Sequence, residues 1–207
     1  MALTRQSPHV APAAAGPQRP PQALAVQKLQ GDLDHPASLR RLAGVATHVL
    51  HLAPPPASGP DDPRTAALLQ ALARRTLPQA LVYGSTSGVY GDCGGRLVAE
   101  TSALQPTTAR AQRRVAAEQR VRGFGRRAAV RATVLRIPGI YAPNRANGTP
   151  RGRLLAATPV LQAEEDVYTN HIHADDLARA CVLALWRGRP QRVLNANDDS
   201  RLKMGEY

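Results

Sequence analysis

Three consecutive hydroxyls, Ser85-Thr86-Ser87, follow the apolar run Ala80-Leu-Val-Tyr and lead into Gly88-Val-Tyr-Gly-Asp92. A strand that ends in hydroxyls places hydrogen-bonding groups beyond the carboxyl edge of a parallel sheet, where open α/β folds take their ligands. Such groups can hold a substrate carbonyl or alcohol, and a serine-rich turn accounts for them equally well. Gly88, Gly91 and Gly94 spell G-x-x-G-x-x-G, the spacing of a dinucleotide loop. That device needs a helix whose N-terminus meets the pyrophosphate. Gly95-Arg-Leu-Val-Ala-Glu100 does not open one, so a flexible loop beside a site is the better reading. His171, His173, Asp175 and Asp176 crowd one stretch with zinc-type donors. No second ligand cluster accompanies them, and an aspartate capping the following helix explains the pair, so no metal is expected. Glu164-Glu165-Asp166 reads as a solvated acidic turn, and His51 as a packed histidine at a strand end.

The elements that must position these residues alternate in type. Val45–Ala53 reads as a buried strand closed by Pro54-Pro-Pro, and Asp61–Pro63 opens a helix with leucines at 68, 69 and 72. Ala80–Tyr83 is a strand, Ala109–Arg122 a helix rich in alanine and arginine, and Ala132–Ile137 a strand broken by Pro138-Gly139. Asp175–Trp186 is a helix with apolar residues at 177, 178, 181, 182 and 185, and Arg192–Asn195 a last strand. Pro36–Leu42 is a short helix. The alternation predicts a parallel sheet with helices on both faces, an α/β architecture. Residues 1–28 are expected to be poorly ordered or a remnant strand and linker, with 29–207 as the folded domain, its substrate region incomplete.

Composition narrows the function classes. No apolar run approaches the about 20 residues that a membrane span needs. The first 26 residues lack the apolar core of a signal peptide, so the cytoplasm is the expected compartment. Cys93 and Cys181 match no metal spacing. The net charge is +12, and 25 of the 27 basic residues are arginine, since only Lys28 and Lys203 are lysines. These arginines are scattered and aromatic residues make up only 3%, so a solvated basic surface is preferred to a nucleic-acid partner.

Four segments carry a resemblance. Ser85-Thr-Ser-Gly-Val-Tyr-Gly91, Leu135-Arg-Ile-Pro-Gly-Ile-Tyr-Ala-Pro143, Asn170-His-Ile-His-Ala-Asp-Asp176 and Asn195-Ala196 resemble, in order and spacing, the extended short-chain dehydrogenase/reductase proteins of the epimerase/dehydratase branch. The resemblance implies a Rossmann-like fold, NADP or NAD as cofactor, and a small-molecule substrate such as a sugar nucleotide; a homodimer is left open. It implies that Thr86, with Ser85 beside it, occupies the catalytic hydroxyl position. Asp32 and Leu33 match the pair lying against the adenine. Ala53 and Pro54, after Leu52, match the loop that passes the cofactor ribose, and Pro138, Gly139 and Ile140 the loop near the nicotinamide. Arg5 matches the basic residue that meets the 2′-phosphate of NADP.

The departures concern the chemistry. The family uses a tyrosine as acid/base and a lysine four residues later that lowers the tyrosine pKa. Counted back from Glu118, these positions are Arg110 and Arg114. A guanidinium stays protonated and cannot act as the base, although Arg114 keeps a charge suited to a ribose or phosphate. If Ala2–Arg5 is the family's second strand, the first strand and its glycine-rich loop are missing, so a truncated product or a misassigned start is expected, with a genuinely shorter variant as the alternative. The sequence therefore leaves three expectations: an NAD(P)-dependent enzyme, a non-catalytic nucleotide-binding protein, or an inactive fragment.

Overall fold

The computed structural model describes residues 27–144 and 148–206. Arg5, and all of the proposed 1–28 unit except Gln27 and Lys28, lie outside the described residues. Strand β1 (His48–His51), helix α1 (Pro63–Leu72), β2 (Ala80–Thr86), α2 (Ala109–Ala128) and β3 (Arg131–Ile137) follow in turn. After them come β4 (Gly139–Tyr141), α3 (Arg151–Leu155), β5 (His171–His173), α4 (Ala174–Arg187) and β6 (Arg192–Asn195). The main sheet runs β1-β2-β3-β6, every neighbouring pair parallel, and β4 and β5 form a separate parallel pair.

The central strands are buried on both sides, which is why they read as continuous apolar runs rather than alternating ones. Leu81 and Tyr83 face Leu68, Leu69 and Leu72 of α1 and Val121 and Phe124 of α2. Val82, Leu135 and Ile137 face Leu177, Cys181 and Ala184 of α4 on the opposite side. Each such aliphatic side chain, fully buried, contributes about 1.5–3 kcal/mol. The expected Rossmann-like sheet with helices on both faces is thus the observed architecture.

Local signals set the helix ends. Asp62 caps α1, its carboxylate accepting from the Thr65 N–H at 3.1 Å, with Pro63 in the first turn. Thr108 caps α2 by accepting from the Ala111 N–H at 3.1 Å. Two details differ from expectation. The cap of α4 is His173, whose Nδ1 accepts from the Asp175 N–H at 3.2 Å, with both aspartates inside the first turn. The buried stripe of α4 is Leu177, Cys181 and Ala184, while Val182 is 53% exposed, because the helix meets the sheet along a narrower line than its apolar content implies. Pro36–Leu42 is a 3-10 helix. No helix among the described residues is long and apolar enough to cross a membrane.

Candidate functional site

The carboxyl ends of β1, β2 and β3 lie side by side, because the parallel register aligns His51 with Tyr83 and Thr86 with Ile137. The residues singled out for chemistry gather there. Thr86 is the last residue of β2, half-buried, and its Oγ1 accepts the Gly88 N–H at 3.2 Å. That bond uses an oxygen lone pair and leaves the hydroxyl proton for another acceptor. Ser87 is half-buried next to it. At Gly84, two residues earlier, a Cβ would sit 2.8 Å from the end of the Leu52 side chain, so a larger residue there would push that leucine aside.

Ser85 does not join them, which corrects the expectation that all three hydroxyls face one cleft. Successive strand side chains point to opposite faces, so Ser85 turns inward and gives its hydroxyl to Glu118 Oε1 at 2.5 Å. Glu118 also holds Arg136, which donates Nη2 to Oε2 at 2.8 Å, both side chains being 3% exposed. Arg136 Nη1 donates to the Tyr90 hydroxyl at 2.9 Å, and Tyr90 donates to Asn195 Oδ1 at 2.6 Å. The Asn195 N–H in turn reaches a Glu100 carboxylate oxygen at 3.0 Å. This network ties α2, β2, β3 and β6 together beneath Thr86. Sequence reasoning used Glu118 only as a counting mark. The signal that pointed to the network was a charged residue, Arg136, inside an apolar strand.

The two arginines at the tyrosine and lysine positions behave differently. Arg110 is exposed, in the first turn of α2, and has no ion pair or hydrogen bond among the described residues. Arg114, one turn on, is 6% exposed. Its Nη1 donates to the Gly84 carbonyl at 2.7 Å, to the Tyr83 hydroxyl at 2.9 Å and, longer, to the Ala53 carbonyl at 3.5 Å. Its Nε is buried without a partner. Burial pushes the Tyr83 phenol up to about 12, so it stays protonated. Tyr83 is fully enclosed and cannot stand in as a base that touches a ligand.

Ala53, Pro54, Pro138, Gly139 and Ile140 follow the carboxyl ends of β1 and β3, whereas Asp32 and Leu33 precede the 3-10 helix Pro36–Leu42. Ala53 is half-buried and Pro54 exposed, just past β1. Pro138 is half-buried, Gly139 exposed and Ile140 half-buried where β3 passes into β4. Asp32 is exposed, its carboxylate accepting from the Asp34 N–H at 2.9 Å. Leu33 packs against the cluster under α1. A hollow of about 180 Å³ is lined by Leu33 and its neighbours between residues 29 and 42.

Two sequence features resolve as structural. The Gly88–Gly94 stretch forms a 3-10 turn and a loop with no α-helix until residue 109. Gly91, at φ +70°, is needed for a turn that packs on Gln105. His51 Nε2 meets Thr65 Oγ1 at 2.9 Å, and Thr65 donates to Asp62 at 2.7 Å, so the histidine locks β1 to the start of α1. Burial lowers the His51 pKa to about 4.

Comparison with known proteins places this arrangement. No curated protein matches the chain in sequence. Among solved structures, RMD from Pseudomonas aeruginosa complexed with NADPH is similar with a TM-score of 0.72 at 22% identity, over 91% of this chain and 73% of that one. A dTDP-glucose 4,6-dehydratase double mutant from Streptomyces venezuelae with NAD bound has a TM-score of 0.68 at 22% identity, over 84% of this chain and 58% of that one. A conserved protein of unknown function from Silicibacter pomeroyi has a TM-score of 0.62 at 30% identity, over 75% of this chain and 54% of that one. The profile of the NAD dependent epimerase/dehydratase family matches residues 2–196, and the chain belongs to that family.

Proposed function

We propose that the chain binds NAD or NADP across the carboxyl ends of β1, β2 and β3 and acts on a sugar nucleotide or a similar hydroxyl-bearing metabolite. The observation that carries this reading is Thr86, whose hydroxyl proton is left free to meet a substrate oxygen. The residues around it suit the cofactor. Arg114 brings a buried guanidinium whose Nε has no partner among the described residues, and Ala53, Pro54, Pro138, Gly139 and Ile140 follow the carboxyl ends of β1 and β3. The exposed Asp32 carboxylate, beside Leu33, is suited to accept from the adenine amino group. When bound, the cofactor supplies the hydride chemistry. The chain's own part is to orient the substrate alcohol through Thr86 and to hold the cofactor through Arg114.

A second reading is nucleotide binding without turnover. It is favoured by Arg110 and Arg114, since neither guanidinium can give up a proton at neutral pH. Calorimetry of NADP(H) and NAD(H) with the purified 207-residue chain tests both. Micromolar-range binding, with substrate turnover that Thr86→Ala lowers about tenfold or more while cofactor affinity is kept, supports the first reading. Binding with no turnover across nucleotide sugars supports the second. A folded chain that binds neither cofactor overturns both.

A further inference from the structure

Two guanidiniums are buried on α2 with no carboxylate to meet them among the described residues. Arg113 and Arg114 are each 6% exposed, and each leaves a buried Nε without a partner. Arg113 is satisfied in part by loop carbonyls, donating to Gly59 at 2.8 Å and to Ala57 at 3.2 Å. Arg114 bonds only neutral oxygens, and all three bonds come from Nη1. Its Nη2 makes no hydrogen bond among the described residues.

The nearby carboxylates are already engaged. Glu118 is held by Arg136 and Ser85, Asp61 by Arg120, Asp62 by Thr65 and Asp34 by Arg64. A buried charge without a counter-charge is costly, and proteins keep one where something else supplies the opposite sign. Arg110 adds to the imbalance. Four residues from Arg114, it lies on the same side of α2, one turn nearer the open end, and like charges at that spacing repel.

We propose that Arg110 and Arg114, with the Thr86 hydroxyl, form a subsite for a carboxylate or phosphate group at the carboxyl end of β2. Arg114 contributes from below through Nη2, Arg110 from the rim, and Thr86 donates its hydroxyl proton. A planar donor fork suits both kinds of anion. The inference rests on reading these strand ends as the ligand crevice. It deepens that reading by making an acidic group part of the ligand, where the family's tyrosine and lysine would serve proton transfer. The anion has two possible sources, the cofactor or the substrate, and the test separates them.

The test titrates the full chain at constant ionic strength with malonate, inorganic phosphate, the neutral analogue malonamide, and NADPH. Arg110→Gln is the main variant, because its exposed side chain makes no contact the fold needs. Arg126→Gln, an exposed arginine at the far end of α2, gives the same change in net charge away from the site. Malonate or phosphate binding that weakens about tenfold or more in Arg110→Gln, is unchanged in Arg126→Gln, and is absent for malonamide supports the subsite. If NADPH affinity is unchanged by Arg110→Gln, the anion belongs to the substrate. If NADPH weakens in parallel and competes with malonate, it belongs to the cofactor. Arg110-dependent malonate binding by a chain that does not bind NADPH keeps the subsite and removes the cofactor reading. Equal malonate binding by both variants, or no binding of either small anion by a chain that binds NADPH, overturns the proposal.

Discussion

Replacing Glu118 by glutamine leaves the Arg136 charge inside the core with an amide in place of its carboxylate. Three donors lose their charged acceptor at once: Arg136 Nη2 at 2.8 Å, Arg136 Nε at 3.2 Å and the Ser85 hydroxyl at 2.5 Å. Both members of the ion pair are 3% exposed, so water screens little of the loss. Removing one partner of a buried pair costs about 3–5 kcal/mol, against a total stability of about 5–15 kcal/mol for a natural domain. At about 2–4 °C per kcal/mol for a chain of this size, Glu118→Gln should melt roughly 6–20 °C lower. Urea and thermal melts of both proteins measure it. The double variant Glu118→Leu/Arg136→Met removes both charges and should lose clearly less than the sum of its two singles. A Glu118→Gln loss below about 1 kcal/mol, or strict additivity in the double variant, would refute the account of the network as a buried, mutually dependent set.

Two further outcomes follow from the geometry. Burial holds the folded His51 pKa at about 4, below its ordinary 6.5, so the unfolded chain takes up the proton first as pH falls. Stability that is fully present above pH 6.5 is therefore lost between about 6.5 and about 4, by about 3 kcal/mol; His51→Asn should flatten that part of a stability-against-pH curve, and an unchanged slope would sink the assignment. Gly91 adopts φ +70° and ψ −154°, a region almost reserved for glycine, and a Cβ there would run into the Gln105 carbonyl. Gly91→Ala should cost about 1–3 kcal/mol or more in a denaturant melt, and a loss within a few tenths would show that the loop simply relaxes.

The long elements were legible in the sequence because local chemistry and burial agree in them. Leu68, Leu69 and Leu72 share one side of α1, Asp62 and Pro63 mark its start, and the run Ala132–Ile137 has the continuous apolar character of a strand covered on both faces. The β4 and β5 pair was not anticipated. Each strand has three residues, and they pair across about thirty intervening positions, so no local pattern betrays them. The cap of α4 was assigned to the aspartates because they are common caps, whereas backbone geometry gave the place to His173.

By itself the sequence determined the order of the long elements, the family, and the substitution of two arginines for a tyrosine and a lysine, because residue type and spacing alone carry these. Tertiary structure decided which of those residues are buried and which stay at the surface. Ser85 and Thr86 are adjacent in the chain, yet the strand's alternation sends one to Glu118 and leaves the other at the rim. Arg110 and Arg114 are the same residue type four positions apart, yet one is exposed and the other lies under Gly84 without a counter-charge. Burial and partners belong to the packed chain and not to any residue in it, so these distinctions come only with the fold.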